Sequence, residues 1–421
     1  MKLVKNLVAS AVPLMLVASA YAQAPAEVKI GVVTFLSGPA ASPFGVPARN
    51  AAELLIEQFN KGQAPAPYNN KGFGGANVKM VLIDESGSST SVVTEYRNLI
   101  QREKVDMVVG YISSGNCLAV GPVAEELKAV TVFFDCGTPR IFEEGKKDYV
   151  FRAVNHATAD SVGAALYLKS TGVKSADYAG INQNYAWGQD SWNDFDGSMK
   201  KIFPGSKVTT SQMPKLFAGQ YSAEISSVMS SKADVIHTSL WGGDLEALIL
   251  QSAPRGMYKK SKVVLTTGET AMYRLAKKIP DGTIIGARGP FGVLAPKSPL
   301  NDWFRASFSD RYNVAPNYTA YQMVHALMAA KLGWEKAAAA GGKPTQEQVA
   351  GAIRGMTYEG PGGVAKFSLA NGHQAVMETA YGKTKLVNGE MTLVDIKRFP
   401  AEQVMPKDGV KSSDWIANGF K

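Results

Sequence analysis

The stretches VKIGVVTF (28–35), PARNAAELLIEQFN (47–60), VKMVLIDES (78–86) and STSVVTEYRNLIQREK (89–104) switch hydrophobic period at each step. The first and third are apolar, β-branched runs that read as buried strands. The second and fourth place apolar residues at three- and four-residue spacing, the stripe of an amphipathic helix. Pro47 supplies a helix start, because its fixed φ suits the first turn and its missing N–H would be unpaired there anyway. Two β-α units in succession imply parallel strands joined by crossover helices. The series continues through VDMVVGYISS (105–114), LAVGPVAEELKA (118–129) and VTVFFDCG (130–137).

A second series begins near Tyr149 with YVFRAV and a helix through SVGAALYLKSTG (161–172). Strands are expected at SADYAGI (175–181), KVTTSQM (207–213), ADVIHTSL (233–240) and KVVLTTG (262–268). Between them lie the helical DSWNDFDGSMKKIF (190–203), SAEISSVMSSK (222–232) and DLEALILQSAPRG (244–256). Two sets of units predict an α/β protein of two doubly wound, Rossmann-like lobes. Beyond Gly292 the pattern turns helical in LNDWFRASFSDRYN (300–313) and YTAYQMVHALMAAKLGWEKAAAA (318–340), then strand-like from Val364 to Phe399. Gly341-Gly342 reads as a helix end and Pro344 as the next start.

The first 22 residues have another purpose. Lys2 and Lys5 precede the uncharged run Leu7 to Ser19, which ends in Ala20-Tyr21-Ala22, the pattern of an export signal cut after Ala22. The run is too short for a bilayer of ~30 Å hydrocarbon, and the compartment reads as periplasmic. What remains, about 400 residues, exceeds the 250–300 that one core organises. With 45% hydrophobic and 19% charged residues, the chain can bury a sizeable core. The net charge of +9 is spread along the chain, without the basic clusters and interleaved aromatics that nucleic acid requires. Cys117 and Cys136 are the only cysteines, and in an oxidising compartment they read as one disulfide.

Ligands of parallel α/β sheets bind beyond the carboxyl ends of strands, where loop amides and helix N-termini converge. GYISSGNC (110–117) ends a strand with the hydroxyls of Ser113 and Ser114 and opens a helix with the amides of Gly115 and Asn116, donors suited to a carboxylate. A plain helix cap explains the same serines equally well. FFDCGTP (133–139) brings Thr138 beside them if the two strands are neighbours, and SGPAASPFG (37–45) offers Phe44 as a cover. From the second series NQNYAWGQD (182–190) offers Tyr185 and Trp187, SLWGGD (239–244) offers Trp241, and TTGET (266–270) offers Glu269.

Taken in order, the opening strand with SGP...FG, the strand-Ser-Ser-Gly loop, the YAWG loop and LWGGD resemble the type I periplasmic solute-binding proteins of the leucine/isoleucine/valine branch, which serve ABC importers. The resemblance spans the mature chain. It implies that Ser113 or Ser114, Thr138 and the backbone of Cys136 hold a ligand carboxylate and ammonium, that Trp187 faces them, and that Glu269 takes the ammonium of an amino acid. Binders of aromatic acids share the Ala-Trp-Gly loop. The resemblance also implies a hinge of three segments near 143–149, 288–295 and 372–378. The first lobe would then hold 23–145 and 292–374, and the second 146–291 and 375–421. Arg152, just past the first hinge segment, is placed to reach an anion but reads first as an interlobe or surface ion pair.

The expected function is capture of a small carboxylate-bearing solute between two lobes and its delivery to an inner-membrane permease, by a monomer without cofactor, metal or nucleic-acid partner. No GxSxG, Walker, GxGxxG or HExxH pattern occurs, and His156, His237, His325 and His373 lack ligand spacing. Two alternatives stand: a sensor of the same fold, and a secreted hydrolase using Ser113 or Ser114.

Overall fold

In the computed structural model, which describes residues 25–339 and 341–421, the first sheet grows outward from β1 (Glu27–Thr34). The expected signal peptide lies outside the described residues. β1 runs parallel between β2 (Asn77–Asp84) and β3 (Met107–Gly110), so Val32 pairs with Leu82 on one side and Val109 on the other. Val28, Ile30 and Val32 are fully buried on one face and Val33 is buried on the other, so the run from Ile30 to Val33 shows no polar alternation. β4 (Thr131–Phe133) and β5 (Val150–Arg152) extend the sheet in parallel.

The chain then crosses to a second sheet. β6 (Tyr178–Ile181), β7 (Val208–Gln212), β8 (Val235–Thr238), β9 (Lys262–Leu265) and β10 (Ile284–Gly286) run parallel in the order β10-β9-β8-β6-β7. It returns for β11 (Thr357–Gly360), β12 (Gly363–Leu369) and β13 (Gln374–Val376), which close the first sheet beside β5. It crosses once more for β14 (Thr379–Val387) and β15 (Glu390–Phe399), antiparallel on β10.

The first crossing departs from expectation. YVFRAV opens no second series: β5 hydrogen-bonds β4, so the chain leaves the first sheet at 153–156, not at 143–149. The other two passages follow β10 and lie between β13 and β14. The crossings are tied together, since Asn155 Nδ2 donates to Met377 O and Met377 N–H donates to Asn155 Oδ1, both at 2.9 Å.

Local chemistry sets the helix ends. Helix Val46–Lys61 carries Pro47 in its first turn and stops at Gly62, whose φ of 66° is left-handed. Helix Tyr318–Ala338 is capped by Asn317 and packs on Val46–Lys61, which gives this buried helix the first sheet to cover. Thr345, not Pro344, caps helix Gln346–Ile353, in a capping box with Gln348. No helix among the described residues is long and apolar enough to cross a membrane.

Candidate functional site

The carboxyl ends of both sheets converge on a small cavity between the lobes. Phe44, Ile112, Ser114, Asp135, Gly137 and Tyr318 line it from the first lobe. Tyr185, Trp187, Trp241 and Thr267 line it from the second, and Arg288 from the second crossing. Five residues picked from sequence therefore meet there: Phe44, Ser114, Tyr185, Trp187 and Trp241. The cavity measures about 10 Å³, about the least that holds one water molecule. A ligand enters only if the lobes part, so this arrangement is a closed one.

The aromatic wall is built by mutual support. Trp241 packs against Phe44 with ring centres 5.3 Å apart, and Phe44 meets Tyr318 edge-on, also at 5.3 Å. Trp241 Nε1 donates to Tyr185 Oη at 2.8 Å, and Trp187 Nε1 donates to Ser239 O at 2.8 Å, so both indoles are fixed in rotation. Trp187 stands in the first turn of helix Ala186–Ile202, which begins four residues before the expected Asp190.

Four other picks lie elsewhere. Ser113 is buried beside the cavity but does not line it; it is the N-cap of helix Ser114–Glu126. Beside the Gly115 and Asn116 amides expected to take a ligand carboxylate, the protein places a carboxylate of its own. Glu85 accepts from the N–H groups of Ile112 and Ser113 at 2.8 Å each, and from Asn116 Nδ2 at 3.2 Å. Burial outweighs those bonds and pushes the Glu85 carboxyl up to about 8. The carbonyl of Cys136 accepts from Arg152 Nη1, and its sulfur is bonded to Cys117, with the two Cα atoms 6.4 Å apart. The Thr138 hydroxyl donates to Asp190 Oδ2 at 2.6 Å, joining the lobes outside the cavity.

Glu269 is the clearest correction. Its Oε2 accepts from Tyr318 N–H at 2.9 Å and its Oε1 from Val293 N–H at 3.3 Å. It is fully buried and pins the second crossing to the start of helix Tyr318–Ala338. Burial raises its carboxyl to about 7. It is not among the cavity residues.

Arg288 is the residue that sequence reasoning missed. Its guanidinium lies 4.4 Å from the Trp187 ring centre. Nε donates to Asp160 Oδ2 at 3.2 Å, while Nη1 donates to Asp135 O at 3.1 Å and also meets Asp135 Oδ1. Nη2 has no partner among the described residues, and neither has the hydroxyl of Tyr318. Two buried, unpartnered donors thus face one cavity, a costly arrangement unless something else receives them. Burial lowers the Arg288 pKa to about 10, which leaves it charged at neutral pH. The residue sits at φ 51°, a strained left-handed conformation for a side-chain-bearing residue. Gly137 makes the approach possible: a Cβ there would stand 2.2 Å from the Trp187 ring and 2.8 Å from Arg288 Nη2.

The histidines are all engaged elsewhere. His156 Nδ1 accepts from Thr158 N–H, His237 bonds Thr266 and stacks on Phe195, His325 accepts from Gly362 N–H, and His373 bonds Val150 O. None of these bonds involves Ser113 or Ser114.

No curated protein matches the sequence. Among solved structures, the chain is similar to a solute-binding protein of an ABC transporter from Rhodopseudomonas palustris in complex with 3,4-dihydroxybenzoic acid. Identity is 21% and the TM-score 0.75, covering 90% of this chain and 98% of that one. It is also similar to a solute-binding protein from R. palustris in complex with benzoate, with 19% identity, TM-score 0.74 and 90% and 99% coverage. A leucine-binding protein from Thermotoga maritima matches with 19% identity and TM-score 0.70 over 88% of this chain and 98% of that one. At these identities the likeness speaks for the fold. A family model described as periplasmic binding protein matches residues 27–389, which take in most of the sequence, every strand but β15 and the crossings between the sheets. The chain belongs to the periplasmic binding protein family.

Proposed function

We propose that this protein captures a small aromatic acid between its two lobes in the periplasm and presents it to the permease of an ABC importer, altering no covalent bond. The observation that carries the reading is the unpartnered Arg288 Nη2 on a wall of aromatic rings. A ligand carboxylate meeting that nitrogen and the Tyr318 hydroxyl would satisfy both donors, each charge-assisted bond contributing about 1.5–3 kcal/mol. Trp187, Trp241 and Phe44 would enclose an aromatic ring. The benzoate and dihydroxybenzoate bound by the two R. palustris proteins are ligands of this kind.

Closure follows from the ligand touching both lobes: it binds the closed arrangement better and so shifts the population toward it. Delivery requires only that the permease reads the closed surface, so a monomer without cofactor suffices. An amino acid is the second reading, favoured by Asp135, a carboxylate on the cavity wall. Because Arg288 already engages Asp135 and Glu269 is bound to backbone amides, an ammonium finds no free acid of its own. Calorimetry of the mature protein with benzoate, 4-hydroxybenzoate, phenylalanine and leucine tests the choice. Saturable one-to-one binding of the aromatic acids is expected, and tighter binding of leucine than of either acid would overturn it.

A further inference from the structure

A second, larger cavity of about 430 Å³ lies where segment 139–147, the turn 369–374 and the C-terminal segment 406–411 meet. Its volume falls within the ~300–1,000 Å³ that small-molecule sites occupy. Arg152 forms part of its wall and is fully buried. Nε donates to Gln374 Oε1 and Nη1 to Thr138 O, both at 2.6 Å, but Nη2 has no partner among the described residues. A buried guanidinium with one face unsatisfied is as unusual here as at the interlobe site.

Lys146, Lys147, Lys407 and Lys411 also line this cavity, against two acids, Glu143 and Asp408. Lys146 pairs with Asp148 at 3.2 Å. Lys147, Lys407 and Lys411 form no ion pair among the described residues. The two acids on the wall are engaged by the protein: Glu143 Oε1 accepts from the Ser412 N–H and hydroxyl at 2.9 and 2.6 Å, and Asp408 Oδ1 from the Asn371 and Gly409 amides at 3.3 and 3.1 Å. His156 adds no charge, because burial holds its pKa well below the usual histidine value. Five cations against two acids leave this concave wall net positive, and such a wall concentrates field on an anion.

We propose that this cavity is a second ligand site, for a compact multivalent oxyanion such as a polycarboxylate or a phosphate compound. Lys147, Lys407 and Lys411 would hold the anion at the rim, and Arg152, buried just behind the base, would add its charge. The walls come from both lobes: β5 and the β12-β13 turn belong to the first, while 406–411 follows β15 of the second. An anion here ties the lobes in the closed arrangement, so it should tighten binding in the interlobe cavity, and the coupling must be reciprocal.

Calorimetry with citrate and with pyrophosphate as probes, on the full mature protein, tests this. At least one should bind saturably, and the preferred one identifies carboxylate or phosphate chemistry. The double variant Lys407→Ala/Lys411→Ala, whose exposed side chains carry no packing, should weaken that binding about tenfold or more while the melting temperature without anion stays unchanged. Binding should persist with 4-hydroxybenzoate at saturation. Absence of saturable binding by both probes, equal affinity in the double variant, or displacement of the probe by the aromatic acid would each overturn the proposal.

Discussion

Thr138, at the end of a first-lobe loop, donates its hydroxyl to Asp190 on a second-lobe helix at 2.6 Å. Arg140 reinforces the contact, its Nε and Nη2 donating to the other Asp190 oxygen at 2.9 and 2.6 Å. This cluster bridges the lobes directly and breaks when they part. It is a latch for the closed state, where the sequence had suggested that Thr138 holds ligand. Asp190→Ala should therefore loosen closure without unfolding either lobe. Losing these charged bonds costs the closed state about 1.5–3 kcal/mol, so affinity for the aromatic acid should fall about 10- to 100-fold. X-ray scattering on the variant should also show a larger radius of gyration with ligand present; an unchanged radius and affinity would refute the latch.

Arg288→Lys keeps a positive charge but loses the planar fork that spans Asp135, Asp160 and the cavity. Calorimetry should show benzoate binding weakened about 10- to 100-fold, the value of one or two charge-assisted bonds. Gly137→Ala should have a comparable effect by a different route, since its methyl collides with Trp187 and Arg288 as they sit here.

Glu269→Gln separates a ligand contact from a structural one. The new amide turns a donor toward the backbone N–H of Tyr318 or Val293, leaving a buried donor unpaired at about 1–3 kcal/mol. Denaturant unfolding should register that loss, while affinity for aromatic acids measured well below the transition stays within about threefold.

Several buried carboxyls, Glu85, Glu269, Asp194 and Asp160 among them, shape the pH response of stability. Glu85 is raised to about 8, and Glu269 and Asp194 to about 7, each chiefly by burial. An acid whose folded pKa lies above its unfolded value keeps its proton on folding, so its contribution is complete below the unfolded pKa and disappears as pH rises through the folded one. For Glu85 the window runs from 4.5 to about 8. Stability should thus fall between pH 5 and pH 8, by at most about 1.4 kcal/mol per pH unit for each group in its window, and the melting temperature should fall with it. Glu85→Gln should flatten the slope.

Hydrophobic period made both sheets and their doubly wound character legible, because parallel strands such as β3, buried at every residue, are nearly continuous apolar runs. Strands of three residues carry too little pattern: β10 passed unnoticed, and β5 was joined to the wrong sheet although its residues read as a strand. Which sheet a strand enters depends on pairing partners distant in sequence, and no local signal marks that. The aromatic half of the site followed from residues placed just after strands, so Trp187, Trp241 and Tyr185 were within reach. Arg288 carried no motif; its position at a crossing and its left-handed backbone arise from tertiary packing. Glu85, an acid just past the carboxyl end of β2, carried no motif either; its bonds to the Ile112 and Ser113 amides arise from the neighbouring loop.

The most direct test is a crystal structure of the mature protein grown with 4-hydroxybenzoate. The account predicts the ligand between the lobes, its carboxylate ~3 Å from Arg288 Nη2 and its ring against Trp187. A ligand whose acid group lies away from Arg288, or an interlobe crevice left empty at saturating ligand, would contradict it.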